Sequence, residues 1–264
     1  MKKLFIKSYC LFIFISLVIT VPSYSQPSSF DNATADPSLI QKDFNTWWNY
    51  NYLNIKLSEN YIPLDTAFKI ISKESFLKLL SSGEYIALRL IGINSELKYK
   101  LYKISLTVDK DIKIQAKQFG EDGYQKYKKE GTEVPDFNFT DLNGTVYNRE
   151  STKGKVVVLK CWYIHCLSCV QEMPALNEVV KQYKKQKDIL FLSLAYDSKE
   201  ELETFLTHTK FDYAVVPLQQ KYMEETLKVT GYPTQFIISR NGLISKVVND
   251  YHDMISSLKN ELAK

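Results

Sequence analysis

Four consecutive apolar residues, Val156-Val157-Val158-Leu159, lead into a stretch whose pattern changes from strand to helix. A run that is apolar at every position, with no alternation, is what a strand buried on both faces requires. After it, Val170, Met173, Leu176, Val180 and Tyr183 fall on one face of a helix over residues 167–184. The exchange then repeats. Ile189–Ala195 is a second buried-strand run, and Ser198 with Glu201 makes a capping box that opens the next helix. Asp212–Pro217 predicts a short strand, Gln219–Lys228 a helix and Thr234–Ser239 a strand. Asn241-Gly242 turns the chain into Leu243–Val248, and His252–Ala263 closes as a helix. Upstream, Phe137–Thr140 and Thr145–Asn148 flank Asn143-Gly144, a hairpin signal. This order implies an α/β fold with a central, mostly parallel sheet and helices on both faces.

The chain before this region reads differently. Asp36-Pro37 is a helix start, with Asp as N-cap and Pro at the first helical position. Ile40, Phe44, Trp47, Trp48 and Ile55 follow at helical spacing, as an aromatic core stripe. A second helix is expected after Ser72, with Phe76, Leu77, Leu79 and Leu80 inward and Gly83 ending it. Strand-like alternation follows at Tyr85–Ile91 and Leu97–Leu106. Residues 36–110 are therefore expected to form a small α+β domain; it has no histidine, cysteine or Gly-rich loop, so no chemistry is legible there. Residues 111–133, rich in Lys, Gly, Glu and Tyr, predict a partly helical connector, and residues 134–264 the α/β domain.

Residues 1–25 carry the marks of a secretory signal peptide. Lys2, Lys3 and Lys7 precede the apolar run Leu11–Val21, and Ser23-Tyr24-Ser25 offers small residues at the cleavage positions. The run is shorter than the ~20 residues a spanning helix needs; an uncleaved anchor is the alternative. Residues 26–35 predict a flexible leader. The net charge of +4 includes three lysines of this segment, and without it 31 basic residues face 30 acidic ones. A nearly neutral chain gives no electrostatic case for nucleic acid. A signal peptide implies an exported protein of the periplasm or cell envelope, where disulfides persist. Of the four cysteines, Cys161, Cys166 and Cys169 remain after removal of the segment. Three clustered cysteines are not a structural framework; they suit a reactive pair and one core thiol, Cys161.

Cys166-Leu167-Ser168-Cys169 stands where the strand hands over to the helix. C-x-x-C at that junction is a thioredoxin-like redox signature. Unpaired helix N–H groups and the dipole stabilise a thiolate on Cys166, and Cys169 lies one turn further in. Gly231-Tyr232-Pro233-Thr234 lies downstream, directly before an apolar strand. In thioredoxin-fold proteins this position holds a cis-proline, and the C-x-x-C pair favours that isomer here.

Residues 134–264 resemble the TlpA/ResA group of thiol–disulfide oxidoreductases in the thioredoxin-like (redoxin, AhpC/TSA-related) superfamily. The matching residues are Val134-Pro135-Asp136-Phe137, Asp141-Leu142-Asn143-Gly144, Lys153-Gly154-Lys155, Trp162, Cys166, Cys169, Glu172-Met173-Pro174 and Gly231-Tyr232-Pro233-Thr234. The resemblance implies a thioredoxin-like fold with an added N-terminal domain. It implies Cys166 as the attacking thiolate, Cys169 as the resolving thiol, Glu172 as a carboxylate assisting proton transfer and Pro233 as the support of a substrate-pairing loop. Trp162, His165, Tyr232 and Thr234 are the expected substrate contacts. It also implies a protein disulfide as substrate, an upstream thiol–disulfide donor in the membrane, apocytochrome c as a client, and no cofactor beyond the Cys166–Cys169 disulfide. Leu167-Ser168 replaces the Pro-containing dipeptide common in the group, which leaves redox direction open. Lys160 occupies the place where thioredoxins carry a buried acid; it is expected either to snorkel to the sheet end or to tune a thiol or Glu172.

Two other classes fit parts of the pattern. A thiol peroxidase shares the Pro135-Asp136-Phe137 opening, but those enzymes carry Thr three residues before the reactive cysteine, and Tyr163 stands there. A non-catalytic module, or a zinc site of Cys161, His165, Cys166 and Cys169, needs tetrahedral convergence that residues straddling a strand end do not favour.

Overall fold

The computed structural model describes residues 32–91 and 96–264. The expected signal peptide 1–25 and most of the expected leader lie outside the described residues. The first described segment, Asn32–Ala33 (β1), is not free chain; it is an edge strand of a four-stranded sheet and pairs antiparallel with its neighbour.

Pro37–Ile40 (α1) and Phe44–Asn54 (α2) form the opening helices. The single helix expected here is broken by a second N-cap. Asp43 adopts an extended conformation and accepts the Thr46 backbone N–H, restarting the helix. Trp47 is buried, whereas Trp48 is exposed and only half fits the core-stripe reading. Ile62–Leu64 (β2), Lys73–Leu80 (α3), Tyr85–Ile91 (β3) and Lys98–Lys103 (β4) follow. The strand order is β1-β3-β4-β2, with β2 parallel to β4 and the other pairs antiparallel. Ser72 caps α3, and Phe76, Leu77 and Leu80 point inward. Leu79, expected inward, is exposed because it lies at the margin of the face that Phe76, Leu77 and Leu80 bury.

Lys110–Lys129 (α4) is a continuous helix where a partly helical connector was expected. Its sequence is too charged to show an apolar stripe, yet Ile112, Ala116 and Gly120 are buried. Gly120 lets α4 approach the end of α3. A Cβ built there would stand 2.4 Å from the Leu80 carbonyl carbon. After α4 the chain runs against the second sheet, with Gly131 N–H on the Ile244 carbonyl at 2.8 Å, Ile244 N–H on Thr132 at 2.8 Å and Val134 N–H on Gly242 at 3.1 Å.

Asn138–Thr140 (β5) and Val146–Asn148 (β6) form the hairpin expected around Asn143-Gly144, with Gly144 at φ +83°. Arg149–Thr152 (α5), Val156–Trp162 (β7), Leu167–Gln171 (α6), Met173–Tyr183 (α7), Ile189–Ala195 (β8), Lys199–Leu206 (α8) and Ala214–Val216 (β9) come next. The helix expected over Gln219–Lys228 contracts to a π-helical turn, Tyr222–Thr226. Thr234–Ile238 (β10), Ile244–Val248 (β11) and Tyr251–Leu262 (α9) complete the chain.

The five-stranded sheet has the order β11-β10-β7-β8-β9. β7, β8 and β9 are mutually parallel, while β10 is antiparallel to both β7 and β11. Four strands therefore point one way and β10 the other, the arrangement of a thioredoxin-like sheet. Every residue of β7 is buried, as the unbroken apolar run predicted. Val156, Val158 and Trp162 face α6, α7 and α9; Val157, Leu159 and Cys161 face the π-helical turn and the β5–β6 hairpin.

Candidate active site

The reactive segment is built by the end of β7. Trp162, the last residue of the strand, is completely buried between Phe205 and Phe211, with ring centroids 5.8 and 5.6 Å away. It was expected to touch substrate; its place in the core corrects that, and its part is to anchor the strand end. Beyond it the chain turns, with the Ile164 N–H donating to Asp197 Oδ2 at 2.9 Å and the Cys166 N–H donating to the Tyr163 carbonyl at 3.1 Å. These bonds fix the approach to α6.

Cys166 is the N-cap of α6, and its Sγ accepts the Cys169 N–H at 3.3 Å. The two sulfurs are joined in a disulfide, with the Cα atoms 5.2 Å apart. Cys166 retains 5% exposure and Cys169 none, so the first sulfur is the one a partner can reach. Leu167 beside it is 71% exposed and Ser168 places Oγ 3.6 Å from the Cys166 sulfur. A sulfur at a helix N-terminus, near unpaired N–H groups and the positive dipole end, is favoured as a thiolate when the bond opens.

The helix expected over 167–184 is two helices. Pro174 has no N–H and its ring disfavours the carbonyl of the preceding turn, so the chain bends at Glu172, the C-cap of α6 and N-cap of α7. The bend brings the Glu172 carboxylate onto the sheet. There it pairs with Lys160, which has no solvent exposure, and Oε1 also accepts Gln235 Nε2 at 3.2 Å. Of the two places expected for Lys160, the pairing with Glu172 is the one found. Gln235 and Ser193 are its direct cross-strand neighbours on β10 and β8. A polar row thus crosses the sheet beneath α6. Burial pushes the Glu172 carboxyl up, opposed by Lys160, and burial pushes the Lys160 ammonium down, opposed by Glu172. Cys161 lies on the other face of β7, where burial raises its thiol to about 12.

The Tyr232–Pro233 bond is cis, the isomer the C-x-x-C pair favoured. The loop runs into β10, where Thr234 pairs with Cys161 in register. Thr234 is buried; its hydroxyl donates to the Gly231 carbonyl at 2.7 Å and lies 3.3 Å from Asn249 Oδ1. It shapes the loop from within. Tyr232 is half-buried. Its ring lies 5.5 Å from Tyr163 and 5.2 Å from Tyr196, and its hydroxyl is 2.5 Å from the Tyr196 hydroxyl, which also bonds Glu224. His165 is exposed and lines a shallow recess with Asp197 and Glu201, away from the tyrosines. Sequence reading missed Tyr196, Glu224, Asp197 and Gln235. The first three sit on loops and a turn with no pattern of their own; Gln235 could have been found as the one amide side chain within a buried strand of Thr, Phe and Ile.

The family model for the AhpC/TSA family matches residues 131–247. The thiol-disulfide oxidoreductase ResA of Geobacillus kaustophilus is 32% identical over 119 residues, covering 45% of this chain and 68% of its own. The chain belongs to the ResA family of thiol-disulfide oxidoreductases. Another relative, the thioredoxin-like protein YneN of Bacillus subtilis, is 28% identical over 131 residues, 47% of this chain and 77% of its own. Among solved structures, a putative thiol:disulfide interchange protein DsbE from Chlorobium tepidum aligns with a TM-score of 0.44 at 24% identity, covering 49% of this chain and 97% of that one. All three likenesses cover about half of the chain.

For a ResA-family enzyme the chemistry needs two sulfurs that exchange a bond with a third, and the Cys166–Cys169 pair provides them. Cys161, His165, Cys166 and Cys169 do not converge on one point, since Cys161 is on the opposite sheet face and the pair is bonded. Among the described residues no group of three or more His, Cys, Asp or Glu is placed to hold a metal.

Proposed function

We propose that this chain is an extracytoplasmic protein-disulfide reductase. The observation that carries the reading is the half-hidden pair at the start of α6, with Cys166 reachable and Cys169 enclosed. In the reduced enzyme the Cys166 thiolate attacks one sulfur of a client disulfide. A mixed disulfide forms and one client thiolate leaves. Cys169 then loses its proton and attacks Cys166, releasing the second client thiolate and leaving the Cys166–Cys169 disulfide. Two electrons pass from enzyme to client, and an upstream thiol donor restores the dithiol. Glu172, three residues after Cys169 and held by Lys160, is the group suited to receive the Cys169 proton.

The leader pattern of residues 1–25 supports an exported enzyme, and the described residues contain no helix long and apolar enough to cross a membrane. A membrane thiol–disulfide relay is the proposed donor and apocytochrome c a proposed client. Tyr163, stacked on Tyr196 with centroids 5.2 Å apart, stands where a peroxidase carries a threonine, which supports reduction of disulfides over reduction of peroxide.

A Cys169→Ser variant tests this directly. It should accumulate mixed disulfides on Cys166 in the native compartment, and Cys166→Ser should abolish insulin disulfide reduction. Undiminished insulin reduction by Cys166→Ser would refute the assignment.

A further inference from the structure

A groove of about 740 Å³ opens beside the loop that precedes Pro233. One wall is Thr230, Gly231 and Asn249, from the thioredoxin-like part of the chain; the other is α4, which lies outside that fold. The groove and the redox pair share a boundary. Thr234, whose hydroxyl ties Gly231 to the β11–α9 turn at Asn249, lines the groove. The Tyr232–Pro233 bond lies between Gly231 and Thr234, and the Tyr232 ring leans on Tyr163, three residues before Cys166. The loop that carries Pro233 thus borders the groove on one side and the segment leading to Cys166 on the other.

The groove is basic. Lys126, Lys128, Lys129 and Lys228 line it against Glu121 and Asp122. Lys126 is paired with Asp122 within α4. Lys129 donates to the Lys228 carbonyl at 3.1 Å and so bridges the two walls. Lys128 and Lys228 are exposed on opposite walls, Lys128 over the Tyr124 ring, and neither has a carboxylate within ion-pairing distance among the described residues. Two exposed cations without carboxylate partners, one on each wall, raise the local potential felt by an entering chain.

We propose that α4 is the second wall of the client groove and that the groove takes an extended acidic stretch of the client polypeptide next to its disulfide. This rests on the reductase reading above. It gives the part of the chain outside the thioredoxin-like fold a role in choosing clients, with Lys128 and Lys228 as specificity-determining residues that take no part in the sulfur chemistry.

The test uses the reduced full-length protein in single turnover. Two synthetic peptide disulfides, identical except for four flanking Asp/Glu or four flanking Lys residues, are compared with bis(2-hydroxyethyl) disulfide, which is neutral and too small to reach α4. The acidic peptide should react about tenfold faster than the basic one at low salt, and the preference should shrink towards unity at high salt. The double variant Lys128→Glu, Lys228→Glu should abolish or invert the preference while leaving the neutral disulfide unchanged. The salt series on the unaltered protein is informative even if that variant folds poorly. Equal rates for both peptides, or a preference that survives the double variant, would overturn the proposal and leave the reductase reading intact. Failure to reduce either peptide would overturn both.

Discussion

Lys160 and Glu172 form a buried ion pair directly beneath the helix that carries the redox cysteines, joined by residues twelve apart in sequence on a strand and a helix junction. Both charges are removed from water, so each depends on the other more than either stabilises the fold. Lys160→Met should destabilise the oxidised protein by about 3–5 kcal/mol near neutral pH, because a carboxylate is left buried and alone. Glu172 then moves further up than in the unaltered protein. A carboxyl raised in the folded state keeps its stability below the ordinary carboxylate range and loses it as pH rises through the raised value. The deficit of Lys160→Met should therefore be small near pH 4 and grow towards pH 8 in chemical denaturation. A deficit independent of pH would show that lost packing, not lost pairing, is responsible. Replacing both partners by Met and Leu should recover most of the loss.

The same substitution bears on catalysis. With Glu172 protonated over a wider range, the Cys169 proton lacks its acceptor, and the pH–rate profile for resolving a mixed disulfide should move towards alkaline pH. Stopped-flow measurement of that step checks it; an unshifted profile would mean that Glu172 does not receive the proton.

Cys161 should be chemically silent. With its thiol pushed up to about 12, only about one molecule in ten thousand carries a thiolate there at pH 8. Iodoacetamide added to the reduced native protein should label Cys166 readily and Cys161 only after denaturation. Mass spectrometry distinguishes the cases, and rapid native labelling of Cys161 would contradict its burial.

The two glycines of α4 that meet other elements should differ in cost. Alanine is worth about 1 kcal/mol more than glycine in a helix interior. At Gly120 the added carbon meets the Leu80 and Ser81 backbone at 2.4 and 2.5 Å, which cannot yield, so Gly120→Ala should be destabilising by about 1–3 kcal/mol. At Gly123 it meets the Leu57 side-chain end at 2.7 Å, which can rotate away, and Gly123→Ala should be nearly neutral. Equal effects in thermal or denaturant unfolding would contradict the close approach of α3 and α4.

Tyr196→Phe removes the hydroxyl that bonds both Tyr232 and Glu224. Burial holds the Tyr232 phenol up at about 12, and the Tyr196 hydrogen bond pulls it back down. Without that bond the Tyr232 phenol should titrate higher still, as read by ultraviolet absorbance. Stability should fall by about 1 kcal/mol. An unmoved titration would place the two rings apart in solution.

The sequence carried the reactive pair and most of the larger sheet because their signals are local. A spacing of three at a strand–helix junction sets Cys166 as N-cap and Cys169 one turn in, and Ser198 with Glu201 closes a capping box that needs no distant partner. What escaped notice depends on contacts between remote residues. Tyr196, Glu224 and Tyr232 meet only after β8, the π-helical turn and β10 have been placed. Trp162 sits in a family motif beside the cysteines, yet the inward face of β7 takes it into the core. α4 was obscured for a different reason: its few buried positions are small or isolated, and Lys and Gln dominate the rest.

The pairing of residues 131–134 with 242–244 has a practical consequence. β11 is an outer strand of the five-stranded sheet, and part of its hydrogen-bonding side is occupied by chain that precedes the first residue of the thioredoxin-like fold. An exposed outer strand is a template for joining sheets of neighbouring molecules. A catalytic fragment begun at residue 134 would be expected to self-associate, whereas one begun ahead of α4 would carry its own guard against aggregation.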